Sequence, residues 1–176
     1  MKRLLLDTCI YGELIIDKDI ELIKQSSHKQ KIVIYGLSFI RKELRATSKT
    51  KQYQGKKLRL DLLSLYDELV KDKTLNVEEE LARSIAKKYY QAYRQCGGNY
   101  SEQELLADYL IVACAALKGM DIVVSNDHAT MLSDNSLRAY SLVNTTAQLQ
   151  KPKFVDYQEF KAFLLKGSGG GWYGSG

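Results

Sequence analysis

The chain has 176 residues, 45% of them hydrophobic, with three cysteines and one proline. That size supports a single globular domain with one sizeable core, and no apolar run approaches the roughly 20 residues of a membrane span. The net charge is +5, and eight Lys or Arg residues against one acid, Glu43, fall between Arg41 and Arg59, which makes a local electropositive patch suited to a polyanion.

Cys9, Cys96 and Cys114 are odd in number and follow no paired metal-ligand spacing, so reduced structural thiols are expected rather than a disulfide framework or a zinc site. The apolar start is cut short by Asp7, unlike a signal peptide, and a soluble cytoplasmic protein is expected.

In chain order, Leu4 to Leu6 is too short for a helix and runs into Asp7 and Thr8, which predicts a strand and then a helical stretch to Gln25. A β-branched strand follows at Ile32 to Tyr35, then Gly36 and a helix containing "SFIRKELR". From Lys56 to Val70, leucines 58, 62, 65 and 69 recur at helical spacing, and a short "TLNV" strand is expected after them. Glu78 to Glu80 open a helix that reaches Gln95 and stops at two glycines. Ser101 and Glu104 form a capping box, and Gly119 ends a nearly continuous apolar helix of about 17 residues. "DIVVSND" reads as a strand ending at Asp127, and a strand near Phe154 leads into a last helix capped by Asp156 and Glu159. Alternating strands and helices imply an α/β fold: a three-layer α/β/α sandwich with a mainly parallel central sheet.

Ligands of such sheets bind beyond the carboxyl ends of the strands, where Asp7 and Asp127 fall. Each is also a good cap for the element that follows, and the two roles are compatible. Asp108 sits inside "ELLADYLIVACAAL", a helix whose composition argues for burial, where a carboxylate needs compensation. The plainer alternative places Asp108 on a solvated strip beside Glu104, paired with a lysine. Glu43, taken alone, is an exposed helical acid with Arg and Lys neighbours. Together the four acids are hard oxygen ligands of the kind that Mg²⁺ or Mn²⁺ requires. His28 and His128 are not spaced as metal ligands; His28 falls in a polar linker, and His128 follows Asp127 closely enough to touch a substrate.

"LLLDTC", "FIRKEL", "LADYLIVACAALKG" and "IVVSND" stand in the order and context of the PIN-domain nuclease signature: an Asp ending strand one, a Glu in the helix after strand two, an Asp in a later apolar helix and a Ser/Thr-x-Asp after the next strand. The sequence resembles that family from Arg3 to about Lys166, and within it looks most like the VapC-type toxin ribonucleases. The segment from Lys49 to Gln95 looks extended beside them. The resemblance implies a PIN-like domain over residues 1–166 that hydrolyses phosphodiester bonds of single-stranded RNA or RNA loops with Mg²⁺ or Mn²⁺, leaving a 5′-phosphate. It implies Asp7 and Asp108 as direct ligands, Asp127 as a ligand directly or through water, and Glu43 as a ligand or as the group that orients the attacking water. Thr8 and Ser125 become hydrogen bonders that hold those ligands. It also implies an antitoxin protein and a second copy of the chain as partners.

Arg41, Lys42 and Arg45 flank Glu43 and would hold an RNA backbone, with Lys49 and Lys51 extending the track. Tyr89, Tyr90 and Tyr93, interleaved with Lys87, Lys88 and Arg94, suit base stacking or the core equally well. The tail from residue 167 to 176 is glycine-rich and expected to be flexible, and it holds the only tryptophan, Trp172. The rival readings are a catalytically silent PIN-like RNA- or protein-binding module, a haloacid-dehalogenase phosphatase and a phosphorylation receiver. The phosphatase needs an acid where Cys9 stands, and the receiver's paired acids and late lysine cannot be traced.

Overall fold

Strand β1 (Lys2–Leu6) lies inside a four-stranded sheet of order β2-β1-β5-β6. Its neighbours are β2 (Ile32–Tyr35) and β5 (Ile122–Val124), and β6 (Lys153–Val155) closes the far edge, with every pairing parallel. A parallel strand with a neighbour on each side and helices over both faces must be apolar where it is covered, which in β1 is its second half. Leu4, Leu5 and Leu6 accordingly have no exposed surface. This computed structural model describes residues 1–29 and 31–166; the glycine-rich tail and the side chain of His28 lie outside the described residues.

Among the described residues, eight helices accompany the strands: α1 (Thr8–Ile16), α2 (Ile20–Lys29), α3 (Ser38–Ala46), α4 (Leu58–Val70), α5 (Glu79–Gln95), α6 (Glu102–Leu117), α7 (Asp134–Thr146) and, after β6, α8 (Tyr157–Lys166). Helix α1 packs on α3 and α4, α2 packs on α8, and α5 packs on both α6 and α7. The result is the expected three-layer α/β/α sandwich. No helix among the described residues is long and apolar enough to cross a membrane.

Several elements depart from the sequence reading. The first helical stretch breaks at Asp17, whose side chain accepts from the Asp19 N–H (2.8 Å), the Tyr157 hydroxyl (2.7 Å) and Lys161 Nζ (2.8 Å). A short polar side chain that bonds its own backbone competes with helix. His28 consequently belongs to a second helix, not to a linker. The "TLNV" strand contracts to a single bridge between Gly36 and Thr74. An antiparallel hairpin, β3 (Gln52–Tyr53) with β4 (Lys56–Lys57), precedes α4, and both its turn residues, Gln54 and Gly55, have positive φ (48° and 75°) as a primed turn demands. Helix α7 was not expected; Ser133 caps it through the Ser136 N–H.

The α5 tyrosines divide. Tyr89 and Tyr93 are buried, and Tyr89 meets Tyr109 and Tyr140 edge-on with ring centres 6.0 and 4.9 Å apart. The Tyr89 hydroxyl donates to Asn144 Oδ1 at 2.6 Å. These two rings are core, which withdraws them from base stacking; Tyr90 is half-buried.

Candidate active site

Strands β1 and β5 end level with one another, Leu6 opposite Val124, so the residues that follow, Asp7 and Ser125, emerge side by side at the carboxyl edge of the sheet. Asp7 does two jobs there. Its Oδ1 accepts the Thr8 N–H (2.6 Å) as the N-cap of α1, while Oδ2 accepts the Ser125 hydroxyl at 2.7 Å and the Cys9 thiol at 3.2 Å. Only 7% of Asp7 is exposed. A carboxylate that far from water needs donors or a cation, and the Thr8 N–H, the Ser125 hydroxyl and the Cys9 thiol are donors to it.

Glu43 reaches the same edge from α3. Its Oε2 accepts the Thr8 hydroxyl at 2.8 Å, so the first residue of α1 ties the exposed glutamate to the Asp7 corner.

Asp108 and Asp127 meet through a residue that the sequence reading passed over, Thr130. The Thr130 hydroxyl lies 2.5 Å from Asp108 Oδ2 and 2.6 Å from Asp127 Oδ2. Asp127 Oδ1 accepts the N–H groups of Ala129 and Thr130 (3.0 and 2.9 Å), and its own N–H donates to Ser125 Oγ at 3.0 Å. Burial, above all, pushes the Asp108 carboxyl up to about 6, and the charges of Asp7, Asp127 and Glu43 add to it against the Thr130 bond. One hydroxyl proton cannot make two strong hydrogen bonds. The pair is satisfied when one carboxyl keeps its proton, and Asp108 is the one whose proton affinity is raised.

Four carboxylates from four elements are thus linked through three hydroxyls, those of Thr8, Ser125 and Thr130. Among the described residues, no lysine or arginine forms an ion pair with any of the four acids. Nor, among the described residues, are three His, Cys, Asp or Glu side chains close enough as they lie to hold a metal ion between them. The donor set is all oxygen and carries uncompensated negative charge, which fits Mg²⁺ or Mn²⁺ rather than a soft metal.

Cys9 also belongs to this corner. The residue is exposed, but its sulfur accepts the Asn126 N–H at 3.5 Å and faces Asp7, so partial desolvation of that atom first and the Asp7 charge second push the thiol up to about 12. Such a thiol is not a nucleophile at neutral pH. His128 is exposed in the turn beside Asp127. Lys42 and Arg45 on α3 are exposed, as are Lys49 and Lys51 between α3 and the hairpin. Arg41 differs: its guanidinium forks onto both carboxylate oxygens of Asp67, each at 2.8 Å.

No protein-family model and no curated protein matches the chain. Solved structures do, and they give the class: the fold is the PIN-domain fold in its VapC-like form. The chain is similar to VapBC2 from Rickettsia felis, solved bound to a DNA fragment from the promoter, with a TM-score of 0.57 and 12% identity over 88% of this chain and 98% of that one. It is also similar to FitAB bound to an IR36 DNA fragment, with a TM-score of 0.54 and 16% identity over 87% of this chain and 94% of that one.

Proposed function

We propose that the protein is a metal-dependent endoribonuclease acting on single-stranded RNA or RNA loops, and the toxin of a toxin–antitoxin pair. One observation carries this reading: Asp7, Glu43, Asp108 and Asp127 gather at the carboxyl edge of a parallel sheet, braced by hydroxyls and unpaired with any cationic side chain among the described residues. A set of acids so arranged costs stability, and the local roles of Asp7 as the cap of α1 and of Asp127 in its turn do not account for Glu43 and Asp108 beside them.

Asp7, Asp108 and Asp127 would hold the ion, with Glu43 at its margin. Mg²⁺ or Mn²⁺ bound there supplies a water of lowered pKa and a charge to set against the phosphodiester. Glu43, the most exposed of the four, would orient the attacking water, and the Thr8 hydroxyl, bonded to its Oε2, would hold the carboxylate for that task. Asp7 is held at one oxygen by the α1 N-terminus and at the other by Ser125, so it turns little. Lys42, Arg45, Lys49 and Lys51 offer charges to successive phosphates. Cleavage leaves a 5′-phosphate. The Cys9 thiol, held protonated, takes no part as a nucleophile.

The likeness to VapBC2 and FitAB supports an antitoxin partner, while a homodimer acting in the cytoplasm rests on the resemblance in sequence alone. The test is incubation of the purified protein with end-labelled single-stranded RNA in Mg²⁺, Mn²⁺ or EDTA. Cutting that needs the metal and leaves 5′-phosphate ends is expected. RNA binding without cutting in any metal would favour the silent binding module.

A further inference from the structure

We infer that Thr130 is a positioning residue of this site, whose hydroxyl sets the separation and orientation of Asp108 and Asp127 for a divalent cation. The inference rests on the nuclease reading above and adds to it a residue outside the four acids.

The hydroxyls of Thr8 and Ser125 each touch one acid of the set, Glu43 and Asp7. The Thr130 hydroxyl touches two, on different elements: Asp108 in α6 and Asp127 after β5. One hydroxyl within hydrogen-bond reach of both carboxyls ties the two side chains to each other, donating to one and accepting from the other when that one is protonated. Without the hydroxyl, Asp127 keeps its main-chain bonds at Oδ1, but nothing ties its Oδ2 to Asp108 or holds the Asp108 rotamer, and an ion would have to order that side chain on binding.

A purely local role does not account for this hydroxyl. The turn is already closed by main-chain groups, since Asp127 Oδ1 accepts the N–H groups of Ala129 and Thr130, and the Leu132 N–H donates to the Asp127 carbonyl at 2.8 Å. The docking of α6 on the start of α7 has its own bond, between the hydroxyls of Tyr109 and Ser136 at 3.1 Å. Removing the Thr130 hydroxyl therefore spares both the turn and the helix packing.

The test compares the parent with Thr130→Val, which keeps the shape, and Thr130→Ser, which keeps the hydroxyl. Two readouts are taken: the Mn²⁺ concentration giving half the metal-induced rise in melting temperature, and the Mn²⁺ dependence of RNA cleavage. Thr130→Val should raise both half-saturation concentrations about 10- to 100-fold, while Thr130→Ser stays within about threefold of the parent. Thr130→Ala serves as the companion if valine is not accommodated. A valine variant that melts lower but keeps the parent's half-saturation overturns the inference, as does a serine variant as impaired as the valine. A parent that shows neither metal-dependent melting nor cleavage overturns the nuclease reading itself, and the inference with it.

Discussion

The Thr8 hydroxyl donates to Glu43 Oε2 at 2.8 Å across 35 residues of sequence, and so couples the start of the first helix to the acid on α3. If Glu43 orients the attacking water, that bond matters for rate rather than for substrate binding. Thr8→Val should lower kcat for RNA cleavage by about 10- to 100-fold with KM little changed, and Thr8→Ser should restore most of it. Steady-state kinetics of the two variants checks this.

Asp108 gives the site a signature in the pH dependence of stability. Its carboxyl rises from an ordinary 3.8 to about 6 in the fold, through burial first and the neighbouring acids second. The folded protein therefore holds this proton more tightly than the unfolded chain, so its contribution is favourable at low pH and is lost as pH climbs from about 4 through 6. In EDTA, the parent should lose on the order of 2 kcal/mol against Asp108→Asn between pH 4 and 7.5, after allowing for solvent screening. Urea melts of both proteins at the two pH values measure the difference, and Mg²⁺ at pH 7.5 should restore the parent.

Gly36 joins β2 to the helix that carries Glu43. A Cβ there would strike the buried Tyr66 hydroxyl, which donates to the Leu37 carbonyl, and would come within 2.7 Å of Val70 Cγ1. Gly36→Ala should cost about 1–3 kcal/mol, read from the shift of the urea midpoint. Cleavage should fall further than the folded fraction does, because the clash displaces the start of α3.

The basic residues are not equivalent. Arg41 already commits its guanidinium to Asp67, which holds the group even further above its usual range. Arg41→Ala should therefore weaken RNA binding less than Arg45→Ala. Removing Lys42, Arg45, Lys49 and Lys51 together should flatten the plot of log affinity against log salt by about 0.7 for each phosphate that is no longer neutralised. Filter binding across a salt series measures both.

Much of this was legible in the sequence, for identifiable reasons. The sheet strands are short apolar runs that end in turn formers, and the acids at their ends stand where parallel sheets bind ligands, so Asp7 and Asp127 could be placed from chain order alone. The Ser101–Glu104 capping box is a local signal, and both of its reciprocal bonds form. What escaped depends on distant partners. The break at Asp17 needs Tyr157 and Lys161 from the other end of the chain. Helix α7, "DNSLRAYSLVNTT", is rich in Ser, Asn and Thr, residues with little helix preference, and it gains its stability from packing on α5. Thr130 reads as an ordinary turn threonine until α6 brings Asp108 to it. The α5 tyrosines read equally as a stacking surface until α6 and α7 cover them.

The most direct measurement is cleavage of single-stranded RNA in Mg²⁺ by the parent, Asp7→Asn and Asp108→Asn, with circular dichroism confirming that all three are folded. Metal-dependent cutting by the parent is expected, with at least about a 100-fold loss in each variant, the scale of removing one electrostatic element of an active site. Equal cutting by all three would contradict the metal-site reading, and would return Asp7 to a helix cap and Asp108 to a hydrogen-bonded acid with no part in chemistry.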